Sequence, residues 1–285
     1  MVSYFLYRIV QNVALSLPLK TAYSLAVFIS TLYATFAFRD RKAVTKNLRV
    51  IFPEKPLGEI RKIRKELFHN FAKYLIDFFR FDKLDKEYIE KNIRLIDLHY
   101  YDECLSEGKG AIVVTAHLGN WELGGVVIAM LGYPFLTVAL PHKSKNVNAL
   151  FNGRRESKGV KVLPLGNAAK GCLRALRNNE LIALVGDRDF GGNGMVLDFF
   201  GRPTIFPIGP AVFSLKTKAK IVPGFMLRNK DDSFSLIINK PIDFTPSGDE
   251  QKDLKGIITS YKVIFEDYIR RYPEQWYMFR RFWKE

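Results

Sequence analysis

From Gly110 onward, short apolar runs alternate with stretches of helical periodicity. AIVVTA (111–116), FLTVAL (135–140), VKVLPL (160–165) and LIALVG (181–186) are unbroken apolar runs, the signature of strands covered on both faces. Between and after them, residues 120–131, 147–158 and 168–178 read as helices. A helix over 210–217, strands over 220–228 and 233–239, and a closing helix over 254–271 complete the series. This alternation predicts an α/β fold, a mixed and mostly parallel sheet flanked by helices on both faces. Upstream, Ile60, Ile63, Leu67, Phe68, Phe71, Leu75 and Phe78 recur at spacings of three and four, predicting an amphipathic helix over 57–81. Residues 82–97 read as a charged connector with one short helix.

The N-terminus has another pattern. Residues 2–38 carry only two charges, Arg8 and Lys20, and Thr21–Phe38 has none in 18 residues. As a helix that stretch is about 27 Å long, against ~30 Å for a hydrocarbon core. Pro18 divides the segment into two helices. It is not a cleavable signal peptide, because it lacks a basic start and an A-x-A-like site. Two readings fit: a membrane-embedded or interfacial anchor, or two helices buried against the rest of the chain. Five Ser and Thr residues weigh against a simple span. The next stretch, Arg39–Arg49, holds five basic residues and one acidic one. That cluster suits the cytoplasmic face of the inner (plasma) membrane, against anionic headgroups, or equally a solvated helix face. The expected organisation is 1–45 as apolar membrane-associated helices and 46–285 as an α/β domain.

Composition narrows the classes. With 285 residues, 48% hydrophobic and 26% charged, disorder is excluded. A chain of this length buries roughly 75% of its unfolded surface and needs no staple. The 44 Lys and Arg against 29 Asp and Glu give a net charge of +15. Such a surface attracts nucleic acid, an anionic membrane, or an acidic substrate or carrier. Cys104 and Cys172 have no metal or redox spacing, and the four histidines fit no zinc motif.

Two strand ends carry the candidate chemistry, where open α/β sheets place their sites. The first is His117-Leu118-Gly119-Asn120-Trp121-Glu122. On one helix, positions five apart lie about 140° from each other and cannot pair. Here a strand ends, Gly119 turns the chain and Asn120 is placed to cap the next helix. The bend lets Glu122 fold back to orient the imidazole, freeing its other nitrogen as a general base for a hydroxyl. A capped turn with a chance histidine is the plainer alternative. The second is Gly186-Asp187-Arg188-Asp189, two carboxylates flanking a cation, which positions an acceptor, partners a cationic group, binds a metal, or simply pairs Arg188 with its neighbours. The stretch 197–213 after it is aromatic and irregular. Phe199, Phe200, Ile205, Phe206, Ile208 and Phe213 form either a slot for a hydrocarbon chain or ordinary core. Asn152-Gly153-Arg154-Arg155, on the helix after the second strand, offers an arginine for an anion or developing oxyanion, or is part of a solvated basic face. The C-terminal 273–283 interleaves arginines with aromatics, as in nucleic-acid stacking, a membrane interface, or a segment packed on the domain.

Four motifs in order carry a resemblance: KNLRVIFPE (46–54), TAHLGNWELGG (115–125), GDRDFGGNGMVLDFFGRPTIFPIGPAVF (186–213) and YPEQWYMFRRFWK (272–284). The chain resembles the bacterial lipid A biosynthesis (lauroyl/myristoyl) acyltransferases, a group that includes the phosphatidylinositol mannoside acyltransferases. The DRD and FFG residues lean toward the latter branch. VALPHKSKNVNAL (138–150) departs from the group in lacking a tyrosine–arginine pair often found there.

The resemblance implies a membrane enzyme that moves a fatty acyl group from a thioester to a glycolipid or lipid A-type hydroxyl. The donor is acyl carrier protein or coenzyme A. The resemblance implies His117 and Glu122 as the catalytic pair of a His-x4-Glu motif, Arg154 as a helper at the anionic centre, and Asp187 and Asp189 as site residues; Asn120, Arg188, Phe199, Phe200 and Gly201 are further substrate-binding candidates. It implies no metal and no cofactor. Rival readings are a lipid hydrolase using the same histidine and a non-enzymatic basic lipid- or nucleic-acid-binding protein. Nucleic-acid binding is disfavoured because the charge is spread along the chain and no binding motif for it appears.

Overall fold

The computed structural model describes residues 2–283. Four helices come first: α1 (Val2–Ser16), α2 (Leu19–Phe36), α3 (Phe38–Ile51) and α4 (Leu57–Phe79). Then follow α5 (Lys86–Asn92), β1 (Ile93–Ile96), α6 (His99–Ser106), β2 (Ala111–Thr115), α7 (Trp121–Met130), β3 (Phe135–Ala139), α8 (Lys145–Glu156) and β4 (Lys161–Pro164). The chain continues through α9 (Ala168–Arg177), β5 (Leu181–Val185), β6 (Met195–Phe199), β7 (Arg202–Phe206), α10 (Gly209–Thr217), β8 (Lys220–Arg228), β9 (Phe234–Ile238) and α11 (Glu250–Arg271).

Seven strands form the main sheet in the order β1-β9-β8-β2-β5-β3-β4. β8, β2, β5, β3 and β4 run parallel, and β9 is antiparallel to β8 with β1 parallel to β9. The expected mixed, mostly parallel sheet is present. The apolar runs are unbroken because alternate residues enter different cores. In β2, Ile112 and Val114 join one buried cluster, with Cys172, Ile221, Ile258 and Phe265. Ala111 and Val113 join the other, with Val126, Phe135 and Val222. Helices therefore cover both faces.

Three elements depart from the sequence expectation. The charged connector contains β1, which extends the sheet beside β9. α6 follows it, where no helix is expected. The irregular stretch after Gly194 is a two-stranded hairpin, β6–β7, whose turn residues Phe200 and Gly201 have φ of 54° and 75°. Positive φ at both turn positions matches the twist of a tight hairpin.

α2 packs along α4, and its inward Ala22 and Tyr23 are buried. Its other face is apolar and uncovered: Phe28 is 67% and Phe36 72% exposed. Among the described residues no single helix is long and apolar enough to cross a membrane. Only α2 and α3 taken together are, and they meet at a 93° bend. Position 45/46 falls inside α3.

A buried ionic knot ties α2 to the sheet. Asp77 on α4 accepts hydrogen bonds from the Tyr23 hydroxyl, from the Arg228 guanidinium at the end of β8, and from Asn120 Nδ2 at 2.9 Å. Truncating one member strands an opposite charge away from water, which costs about 3–5 kcal/mol in such pairs. Asp77→Ala is therefore expected to lose about that much stability, read by urea denaturation at pH 7. A loss below about 1 kcal/mol would mean the ion pair contributes little.

Candidate active site

β2 and β5 are neighbours in register, with Thr115 opposite Val185. His117 and Asp187 each lie two residues beyond that pair, so equal extension past two adjacent parallel strands brings them together. His117 Nδ1 is 2.6 Å from Asp187 Oδ1, and the backbone N–H of His117 donates to Asp187 Oδ2 at 3.1 Å. The same Oδ2 accepts the indole N–H of Trp276 at 3.0 Å. Asp187 has no exposed surface. Burial pushes its pKa up, but the His117 charge and these hydrogen bonds outweigh burial and hold it at about 2. With Nδ1 engaged, Nε2 is the ring nitrogen left for chemistry. The edge of the His117 ring meets Trp121 at a centroid distance of 5.1 Å.

The turn after His117 is held by the C-terminal segment. Tyr277 N–H donates to the His117 carbonyl at 3.0 Å, and Gly119 N–H to the Gln275 carbonyl at 2.9 Å. Gly119 has φ of 65°, and a Cβ there would sit 2.0 Å from the Met226 carbonyl oxygen. Only glycine fits a turn pressed that closely on β8. The aromatic C-terminus is thus a packed strap. Asn47 of the first motif binds it too, donating to the Met278 and Arg280 carbonyls.

His117 lies on the wall of a cavity of about 670 Å³, within the range of about 300–1,000 Å³ usual for small-molecule sites. Most of the wall is apolar, including Val126, Phe135, Val138, Leu184, Ile208 and Phe213. Glu122, Arg155, Arg188, Asp189 and Arg280 supply the charge.

Several sequence assignments change. Glu122 lines the cavity but does not hold His117. Both its oxygens accept from Arg155, Oε2 from Nε and Oε1 from Nη2, each at 2.7 Å. The orienting carboxylate is Asp187, which arrives from another strand. Arg154 does not line the cavity; its guanidinium pairs with Asp82. Adjacent helical residues point about 100° apart, so Arg155 faces the cavity instead. Asn120 caps α7, accepting Leu123 N–H at 3.1 Å, and is buried on Asp77. Phe199 and Phe200 pack on Trp283, and Phe199 also on Trp276, away from the cavity. Gly201 serves the hairpin turn. Of the six residues weighed for the slot, Ile208 and Phe213 line it. Arg188 and Asp189 line the cavity. No site role is assigned from sequence to Trp276 or Arg280, and Arg155 is only one of two arginines on its helix, since only the fold brings Trp276 to Asp187 and the two arginines to the cavity. Cys104 and Cys172 are buried, and burial pushes each thiol up to about 11, so neither is a ready nucleophile.

The α/β sheet thus carries a carboxylate-held histidine past a strand end, on the wall of a mostly apolar cavity. The chain matches the family described as bacterial lipid A biosynthesis acyltransferase over residues 1–285. It belongs to that family and is an acyltransferase. It is 30% identical to the phosphatidylinositol mannoside acyltransferase of Mycolicibacterium smegmatis, over 75% of this chain and 70% of that one. It is 28% identical to a lipid A biosynthesis acyltransferase of Haemophilus influenzae, over 77% and 71%. The lipid A biosynthesis palmitoleoyltransferase of Escherichia coli is 24% identical, over 93% and 86%.

Trp276 tests the strap. Asp187 is ionised in the fold far below its unfolded pKa, so its contribution to stability is present above about pH 4 and fades as pH falls toward 2. Trp276→Phe removes one hydrogen bond to that charge, worth about 1.5–3 kcal/mol. The variant is expected to lose stability at pH 7 and to begin its acid loss at higher pH than wild type, measured by urea melts from pH 7 to 2.5. Parallel curves would place the indole's role in packing alone.

Proposed function

We propose that the protein transfers a fatty acyl group from an acyl thioester, on acyl carrier protein or coenzyme A, to a hydroxyl of a membrane glycolipid. The observation that carries this is the His117–Asp187 pair on the wall of the apolar cavity. The acyl chain lies in the cavity with its carbonyl beside the ring. His117 Nε2 takes the proton of the acceptor hydroxyl, and Asp187 fixes the tautomer and stabilises the imidazolium. The oxygen attacks the thioester carbonyl, the tetrahedral intermediate collapses, and the thiolate leaves with the proton that His117 returns. Glu122 keeps Arg155 folded onto the cavity wall.

Relatives named for phosphatidylinositol mannoside and for lipid A support a glycolipid acceptor of one of these kinds. The net charge of +15 suits an acidic carrier or phosphorylated coenzyme and an anionic membrane surface. The uncovered apolar residues of α1 and α2, among them Phe5, Ile9, Phe28, Ile29 and Phe36, form the surface that meets the membrane, at its cytoplasmic face.

His117→Ala is expected to lower acyl transfer about 10²–10⁴-fold, with acylated glycolipid and free fatty acid both measured by mass spectrometry. Free fatty acid as the sole wild-type product would favour a hydrolase. Asp187→Asn is expected to lower kcat and move the acid limb of the pH profile, while Glu122→Gln leaves that limb in place. The reverse pattern would return the orienting role to Glu122.

The membrane surface is tested by Phe28→Asp with Phe36→Asp, since deleting residues 1–38 would also remove buried Tyr23. The double variant is expected to float with anionic vesicles at least tenfold less than wild type. Unchanged flotation would place the anchor elsewhere.

A further inference from the structure

The charges on the cavity wall are not all matched. Glu122 and Arg155 satisfy each other. Asp189 is held by the backbone N–H groups of Gly191, Gly192 and Gly194. Arg188 and Arg280 line the same cavity. Among the described residues, neither has a carboxylate within the 4.0 Å of an ion pair. Arg188 donates from Nη2 to the Tyr277 carbonyl at 2.8 Å, but its Nε–H is buried with no partner. Burial lowers the Arg188 pKa against the pull of Asp187, and the Arg280 charge lowers it further. Arg280 is solvent-exposed, whereas Arg188 is partly buried.

Two guanidiniums that face one cavity, one with an unmet buried donor, suit an anion. The planar fork of N–H groups favours phosphate or carboxylate. Location narrows the choice. Arg188 directly follows Asp187, whose carboxylate holds His117, and His117, Arg188 and Arg280 all line this cavity. An anion held by the two arginines therefore shares the cavity with a hydroxyl presented to His117. A thioester donor carries its phosphate at the far end of a long pantetheine arm, remote from the carbonyl under attack.

We propose that Arg188 and Arg280 form a phosphate subsite that takes the phosphate of a phosphorylated glycolipid acceptor and sets its hydroxyl beside His117. This rests on the acyl-transfer reading above. The subsite selects acceptors by charge, while the apolar cavity holds the acyl chain.

The test uses the full chain in mixed micelles, with a phosphorylated glycolipid and its dephosphorylated counterpart as acceptors. The expected result is that Arg280→Gln lowers the ratio of kcat/KM between the two acceptors at least about tenfold. Inorganic phosphate is expected to compete with the acceptor in wild type. Calorimetry should detect inorganic phosphate binding in wild type and its loss in the Arg188→Gln/Arg280→Gln double variant. An unchanged acceptor ratio, or no phosphate binding to wild type, would overturn the subsite. A loss that disappears with a phosphate-free acyl-N-acetylcysteamine donor would overturn it as well, by assigning the phosphate to the donor. The reading it rests on fails separately, if wild type acylates neither glycolipid; the calorimetric arm still decides the subsite.

Discussion

The structure depends on one junction, where two adjacent parallel strands end and each projects a side chain two residues further. His117 leaves β2, Asp187 leaves β5, and the register of Thr115 on Val185 sets them 2.6 Å apart. A buried carboxylate is unfavourable unless its charge is met. Here it is met by an imidazole, a backbone N–H and an indole N–H. The pair therefore fixes the strand ends, the turn at Gly119 and the C-terminal strap as one unit.

The rest of the fold is arranged around that unit. Asn120, next to the turn, is pinned on Asp77, which also holds Arg228 and Tyr23. A chain of buried polar contacts thus runs from the apolar helix α2, through α4, to the N-terminus of α7. Residues far apart in sequence depend on one another because each buried donor or acceptor needs a partner away from water. The same logic separates the cavity's charges: Glu122 with Arg155, Asp189 with the glycine-rich loop's N–H groups, and two arginines left facing the cavity.

Much of the fold was legible because periodicity reports local geometry. The strands at 111–115, 135–139, 161–164 and 181–185 and their intervening helices coincide with apolar runs that pattern alone identifies. β1 was not legible: only Ile93 of its four residues is buried, so no apolar run marks it. The β6–β7 hairpin was hidden by proline and glycine, and its strands alternate exposed with buried instead of running apolar.

The sequence by itself determined that the chain is α/β, that His117 closes a buried strand, that Asn120 caps the helix after it, and which family the motifs resemble. These follow from spacing along one segment. The tertiary structure decided which carboxylate holds the histidine, which of Arg154 and Arg155 meets the cavity, and that Phe199 and Phe200 are core. It also decided that the aromatic C-terminus straps the turn after His117. Each of those depends on sheet order and register, which place segments tens of residues apart in contact, and no local periodicity encodes that placement.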